Sequence, residues 1–257
     1  MNRGKSGSPV EAVILAAGKG TRMKSDLAKV LHELAGATLL DRVLEVVRAA
    51  GIGRTVIIVG HQADRVKASC AASDIVFVEQ VPQNGTGHAL QVAAPSLTAG
   101  GYSVVLSGDV PLLRRATLER LVEQGLAGQA AAVVLTCVVA DAGTYGRIVK
   151  DSGGSFQRIV EARDATAEEL AITEYNSGIY CFRTDALLLA LARLQPDNDQ
   201  KELYLTDTIG HLVAAGEVVE TCIITDPNEV LGINTVAELA DAATILNARD
   251  GDGQLSQ

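Results

Sequence analysis

A chain of 257 residues, 47% hydrophobic and only 3% aromatic, can bury a substantial core as one large domain or two closely joined ones. Its formal net charge of -9, from 22 basic and 31 acidic residues, excludes a general nucleic-acid surface, because phosphate backbones are held mainly by lysine and arginine. Any anionic ligand must be met by a local cluster, and the absence of tryptophan leaves little for base-stacking platforms or membrane-interface belts.

Residues 1–9, rich in Gly and Ser, are expected to form a flexible tail. The apolar run that follows, Ala12 to Ala17, is six residues long and preceded by Glu11, too short for an export signal. Short β-branched runs then alternate with helical patterns: AVILAAG, TVIIVG, DIVFVEQ, YSVVLSGD and AAVVLTCVV as strands, with helices over Leu39 to Ala50, Gly87 to Ala94 and Ala116 to Gln124. Continuous apolar strands between helices predict an α/β fold: a Rossmann-like, mixed but mostly parallel sheet covered on both faces. Further on, TYGRIVKDSGGSFQRIVEARDA suggests two strands around a Gly-Gly turn, and EYNSGIYCFRTDALLLALARL a strand feeding a helix, together a smaller second lobe. The end, from about Asn247, is polar and Gly-rich and predicts a second tail; Asp250 and Asp252 there lack the other ligands of a calcium loop. No stretch reaches the length of a membrane span, no internal repeat is present, and Cys70, Cys137, Cys181 and Cys222, scattered without a CxxC pair, read as reduced cysteines. A cytoplasmic protein with no membrane or nucleic-acid partner is expected.

The segment VILAAGKGTRMKSDLAKVLHELAG has the shape of strand, glycine turn and helix. It is no dinucleotide fingerprint, since Met23 stands where the third glycine belongs, and no P-loop, since Met23 rather than glycine precedes Lys24-Ser25. Small residues Ala16, Ala17, Gly18 and Gly20 would let a ligand reach backbone amides, and Lys19, Arg22, Lys24 and Lys29 face a single acid, Asp26. By itself this is either an anion trap or a tight turn before a solvated basic face. Asp109, at the end of an apolar strand, suits a magnesium ion completed by substrate phosphates, or equally a cap for a helix after Pro111. Likewise NGTGHA, from Asn84 to Ala89, could bring amides against a base or phosphate, or be a plain turn. His32, His61, His88 and His211 have no metal-ligand spacing.

In this order, LAAGKGTRM, KVLHELAG, QNGTGHA, SGDVPLL, YGRIV, IVEARDAT, YNSGIY, ELYLTD and GINTVAEL resemble the uridylyltransferase domain of the bacterial N-acetylglucosamine-1-phosphate uridylyltransferases, in the sugar-nucleotide pyrophosphorylase family. The resemblance spans about Val10 to Arg249. It implies one nucleotidyltransferase domain over 10–249, with 10–115 mainly nucleotide-binding, 116–249 mainly sugar-phosphate-binding and 250–257 a tail. It implies that a sugar 1-phosphate attacks the α-phosphorus of UTP with magnesium as cofactor, giving UDP-sugar and pyrophosphate for cell-wall precursors. Leu15, Ala16, Ala17, Gly18, Ser107 and Gly108 would line the nucleotide. Arg22 and Lys29 would bind the triphosphate, while Gln80, Gly85 and Thr86 would meet the uracil. Asp109 and Asn234 would hold the magnesium, and Gly146, Glu161, Asn176 and Thr206 would contact the amino-sugar.

Three positions depart from the family pattern. Ala28 replaces the proline common before the lysine, which would loosen the loop aiming Lys29; Ser107 stands where some members have tyrosine; and Thr235 replaces a second asparagine after Asn234. Full-length members continue into a left-handed β-helix that nothing after Arg249 supplies, so a monomer or weak oligomer is expected. Another sugar or base remains open as an alternative, and so does a catalytically silent sugar-nucleotide sensor.

Overall fold

The computed structural model describes residues 7–198 and 200–254. In chain order, β1 (Val10–Ala16) leads through short β2 (Glu33–Leu34) and β3 (Ala37–Thr38) into α1 (Leu39–Ala49), followed by β4 (Thr55–Val59), α2 (Ala63–Cys70) and β5 (Ile75–Glu79). Next come α3 (Thr86–Ala93), β6 (Tyr102–Ser107), α4 (Arg115–Ala127) and β7 (Ala132–Val138). The hairpin β8 (Arg147–Lys150) and β9 (Phe156–Val160) precedes α5 (Ala167–Leu170), β10 (Glu174–Arg183) and α6 (Thr184–Leu191). The remaining elements are α7 (Asp207–Ala214), β11 (Val219–Ile224) and α8 (Val236–Gln254).

Seven strands form one sheet in the order β11-β7-β10-β6-β1-β4-β5, with the β8–β9 hairpin joined to β10. β6, β1, β4 and β5 run parallel, as do β7 and β11; β10 is antiparallel to both its neighbours and makes the sheet mixed. The reason lies in side-chain alternation. In β1, Ala12, Ile14 and Ala16 face one apolar layer with α1, α2 and α4, whereas Val13 faces the other with α3, α6 and α7. Both faces are buried, so the strand is apolar at every step except Glu11, whose carboxylate pairs with Arg54 and accepts from Thr98 N at 2.6 Å. Fully buried Ile14, Ile57, Ile58 and Leu106 hold these layers, and truncating any one to alanine costs about 2–5 kcal/mol. α1 starts where Thr38 and Asp41 form a reciprocal cap, Thr38 Oγ1 accepting from Asp41 N at 3.0 Å.

Two expectations need correction. EYNSGIYCFR, expected in the second lobe, is β10 inside the main sheet between β6 and β7; of that lobe only the β8–β9 hairpin, joined to β10, and α5 lie beside the main strands, with α7 against β9. The tail expected from Asn247 is instead the end of α8, whose backbone runs to Gln254; residues 1–6 and 255–257 of the expected tails lie outside the described residues. Periodicity over 236–246 was obscured by alanines, which suit a helix on either face. All four cysteines are unpaired and buried, and no helix is long and apolar enough to cross a membrane among the described residues.

Candidate active site

β1 sends the chain to α1 and then toward β4 and β5, while β6 lies on the other side of β1, so the loops after β1 and β6 diverge. A crevice opens at such a switch point, beyond the carboxyl ends of the parallel strands. Gly18 and Gly108 fall in these two loops. A Cβ on Gly18 would meet nothing within 4 Å, and Gly108 donates its amide to Leu15 O at 2.9 Å with Val30 packed against it. Among the described residues the amides of Gly18 to Arg22 donate to no protein group. Gly20 is left-handed at φ 61° and the 3-10 turn Thr21–Met23 follows, the curl that aims successive amides at an anion. Met23 is 1% exposed, which explains why this position needs an apolar side chain rather than glycine.

The charged side chains converge at the mouth of this loop. Lys29 Nζ donates to Asp109 and, at 3.0 Å, to Asn234 Oδ1, which also accepts from Arg22 Nη2 at 2.8 Å. Asn234 Nδ2 is committed to Gly232 O at 3.0 Å, so the amide presents its oxygen to the cations. Glu238 holds the backbone in place by accepting from the amides of Asn234 and Thr235, and Ile233 N donates to Asp109 O at 2.9 Å. Lys29 and Asp109 are 17% and 13% exposed, enough solvent exclusion to strengthen their pairing while leaving room for substrate. Asp109 does not cap a helix: α4 begins only at Arg115, and its N-terminus has no side-chain cap.

Ala28 turns out to be tied rather than loose. Its φ of -55° and ψ of 136° would suit proline, but its amide donates to Gln62 Oε1 at 3.1 Å, a bond proline would forfeit. Gln62 also donates to Asp26 O, clamping the loop that carries Lys29. A Cβ on Gly20 would stand 2.6 Å from Lys29 Cβ.

Among the residues expected at the uracil, Gln80 Nε2 donates to Gly85 O at 2.9 Å. The turn Asn84–Gly87 is laced to 203–205: Leu203 N donates to Asn84 O, Gly87 N to Leu203 O, and Leu205 N to Thr86 Oγ1. The Thr86 hydroxyl therefore serves that junction. Ser107 ends β6 beside Leu15.

The four expected sugar contacts are also brought together. Thr206 Oγ1 donates to Glu161 Oε1 at 3.0 Å, Asn176 N to Gly146 O at 2.8 Å, and a Cβ on Gly146 would lie 3.5 Å from Glu161 Oε2. Burial pushes the Glu161 carboxyl up from its ordinary value, against the opposing pull of the Thr206 hydroxyl. A register shift in β10 between Asn176 and Tyr180 lets Asn176 Nδ2 donate to the buried Tyr180 hydroxyl at 2.7 Å. Tyr145 and Tyr175, neighbours of Gly146 and Asn176, stack with ring centroids 4.6 Å apart. Burial pushes the Tyr145 phenol up from its ordinary value, against the opposing pull of the Gly232 backbone, and the negative charge of Asp109 adds to the rise. Sequence reasoning gave no role to Tyr145, Tyr175, Tyr180 and Glu238, although they stand within YGRIV, YNSGIY and GINTVAEL, and missed Gln62, which lies in none of the quoted segments.

Fold, switch-point crevice and cation cluster define a nucleotide-transferring class of α/β domain, and the chain belongs to the MobA-like NTP transferase domain family, whose model matches residues 12–212. The similar curated proteins are called bifunctional protein GlmU. That of Geotalea uraniireducens is 45% identical over 240 residues, 93% of this chain and 52% of the relative; that of Trichlorobacter lovleyi is 47% identical over the same shares. That of Synechococcus sp. strain CC9605 is 48% identical over 238 residues, 92% of this chain and 52% of the relative. The chain thus spans about half the length of the curated relatives it matches.

Proposed function

We propose that this domain transfers UMP from UTP to N-acetylglucosamine 1-phosphate, releasing pyrophosphate, in the cytoplasm, with magnesium as cofactor and no stable oligomer of its own. The observation that carries this reading is the convergence of Arg22, Lys29, Asp109 and Asn234 beside the free amides of Gly18 to Arg22, with Glu161 and Thr206 hydrogen-bonded to each other as the expected sugar contacts. Two phosphate-bearing anions must approach in line, and the chemistry needs positioning and charge neutralisation rather than a protein nucleophile. Arg22 offers a planar fork to phosphate oxygens and Lys29 a mobile point charge.

The Asp109 carboxylate and the Asn234 carbonyl oxygen already share one cation, the Lys29 ammonium, and these are the hard oxygen donors that magnesium takes. Among the described residues no three His, Cys, Asp or Glu side chains could hold a metal together, so substrate phosphates would complete the shell. Asp109 and Asn234 would hold the ion, which would neutralise charge developing on the phosphates. Gly18 to Arg22 would cradle the nucleotide phosphates through their amides, and Gly146, Glu161, Asn176 and Thr206 would orient the acetamido sugar.

Pyrophosphate release, measured for each nucleoside triphosphate against a panel of sugar 1-phosphates with and without magnesium, tests this. Release with UTP and N-acetylglucosamine 1-phosphate, dependent on magnesium, is expected. Binding without release from any pair would replace the enzyme with a sugar-nucleotide sensor.

A further inference from the structure

Gln80 follows β5 and is 4% exposed; its amide donates to Val59 O at 2.8 Å, extending the strand pairing by one residue. Its side-chain nitrogen has two neighbours, Gly85 O at 2.9 Å and His88 Nδ1 at 3.2 Å. A backbone carbonyl can only accept, so the atom facing Gly85 O must be the amide nitrogen and not the oxygen. The same nitrogen faces His88 Nδ1, and an amide nitrogen can only donate. Nδ1 is therefore the bare, accepting nitrogen of a neutral imidazole, with the ring proton on Nε2. Both amide hydrogens of Gln80 are spent, and Oε1 is what remains; it accepts from no group among the described residues. The Gly85 carbonyl is itself immobile: Ala89 N donates to it at 3.2 Å, and Gly85 has a φ of 98° and no room for a Cβ, which would lie 2.5 Å from Leu203 O.

We propose that His88 is a positioning residue for base selection: by taking the second amide hydrogen of Gln80, it locks the pocket into presenting a lone hydrogen-bond acceptor to the base. This rests on the proposed UTP reaction and on the expectation, from the family resemblance, that Gln80 meets the uracil. An acceptor suits the imide N–H of uracil or thymine and opposes cytosine, whose ring nitrogen at that position is itself an acceptor. Without His88, the amide could offer a hydrogen and the distinction would weaken. A pocket built around one required polar partner discriminates by leaving that partner unpaired with the wrong ligand.

The test compares UTP and CTP binding by calorimetry for the wild type, His88→Leu and His88→Asn, with folding checked by circular dichroism. The ratio of the two dissociation constants should favour UTP in the wild type and fall about tenfold in His88→Leu. His88→Asn should keep most of it, because its side-chain oxygen can accept where Nδ1 did. A folded His88→Leu protein with the wild-type ratio would overturn the proposal, as would His88→Asn losing as much as His88→Leu. Should His88→Leu fail to fold, NMR of the histidine ring in the wild type decides: a proton on Nε2 supports the proposal and a proton on Nδ1 overturns it. A wild type that prefers UTP yet releases no pyrophosphate would sink the proposed reaction and leave the binding ratio to judge His88; a wild type without preference would sink the role of His88 whatever the protein catalyses.

Discussion

The proposed phosphate end and the proposed sugar end of the site are built on different physics. At the phosphate end Lys29, Asp109, Asn234 and Arg22 form a charged chain on loops, partly open to solvent, with the geometry set by backbone ties from Gln62 and Glu238. At the sugar end Glu161, Asn176 and Thr206 sit on or against strands and a helix, two of them under a tenth exposed, joined by short neutral and charge-assisted bonds to Thr206 and Tyr180. In the proposed reaction, charges at the first end would act where charge moves and so belong to kcat. Fixed dipoles at the second discriminate among hydroxyls and amides and so belong to KM and selectivity.

Substitutions at the two ends should therefore separate in kinetics. The largest effect is expected from Asp109→Asn, which removes the carboxylate while keeping the shape: steady-state turnover should fall by about 10²-fold or more, equivalent to about 3 kcal/mol, with an unchanged melting temperature. An unaffected rate would remove Asp109 from the chemistry. Gly20→Ala comes next, because a side chain at φ 61° costs about 1–2 kcal/mol and its Cβ would press on Lys29 Cβ. Its kcat should drop about tenfold, that loss in free energy appearing as displacement of Lys29; a loss confined to stability would show that Lys29 is not aimed by this glycine.

At the sugar end, Glu161→Gln should raise KM for the sugar 1-phosphate about tenfold while leaving kcat within a few-fold. It also has a pH signature. The folded protein binds the Glu161 proton more tightly than the unfolded chain, since burial raises its carboxyl. The stability contribution is thus full below the ordinary carboxylate value and is lost as pH rises through the raised folded value. Denaturant titrations across that window should slope downward in the wild type and flatten in Glu161→Gln; equal slopes would show that this carboxyl is not the cause. The smallest effect is expected from Gln62→Ala, which frees the Ala28 amide and should cost about 1 kcal/mol in stability with a few-fold loss in kcat. A loss in KM for the sugar instead would place Gln62 with the wrong end.

Legibility in the sequence follows the same division. Strands β1, β4, β6 and β7 were visible because burial on both faces keeps long apolar runs, and β5, a half-exposed edge strand, was visible from its β-branched and aromatic residues alone. β11 was not, since VETCII lies at the sheet edge with half its positions partly exposed, and α2, ADRVKASC, carries too few apolar residues to mark a face. Taken alone, the loop from Gly18 to Lys29 read equally well as an ordinary basic turn; the other ordered segments tipped the reading toward phosphate, and the structure then brought Asp109 and Asn234 to Lys29. Ala28 looked like a weakness because its compensating partner, Gln62, lies 34 positions away in the chain.

By itself, then, the chain's pattern of apolar runs, glycines and charges determined the α/β class, the order of the main strands and the residue types available to meet phosphate, because periodicity and local turn chemistry are short-range properties. Only the tertiary structure decided that Asn234 shares a cation with Asp109, that β10 carries Asn176 to Tyr180 across a register shift, and that the Gln80 amide, oriented by the Gly85 carbonyl, brings its nitrogen against His88 Nδ1. Hydrogen-bond direction at a buried amide depends on which partner can only accept, and that is settled by atoms the folded chain brings together from distant positions.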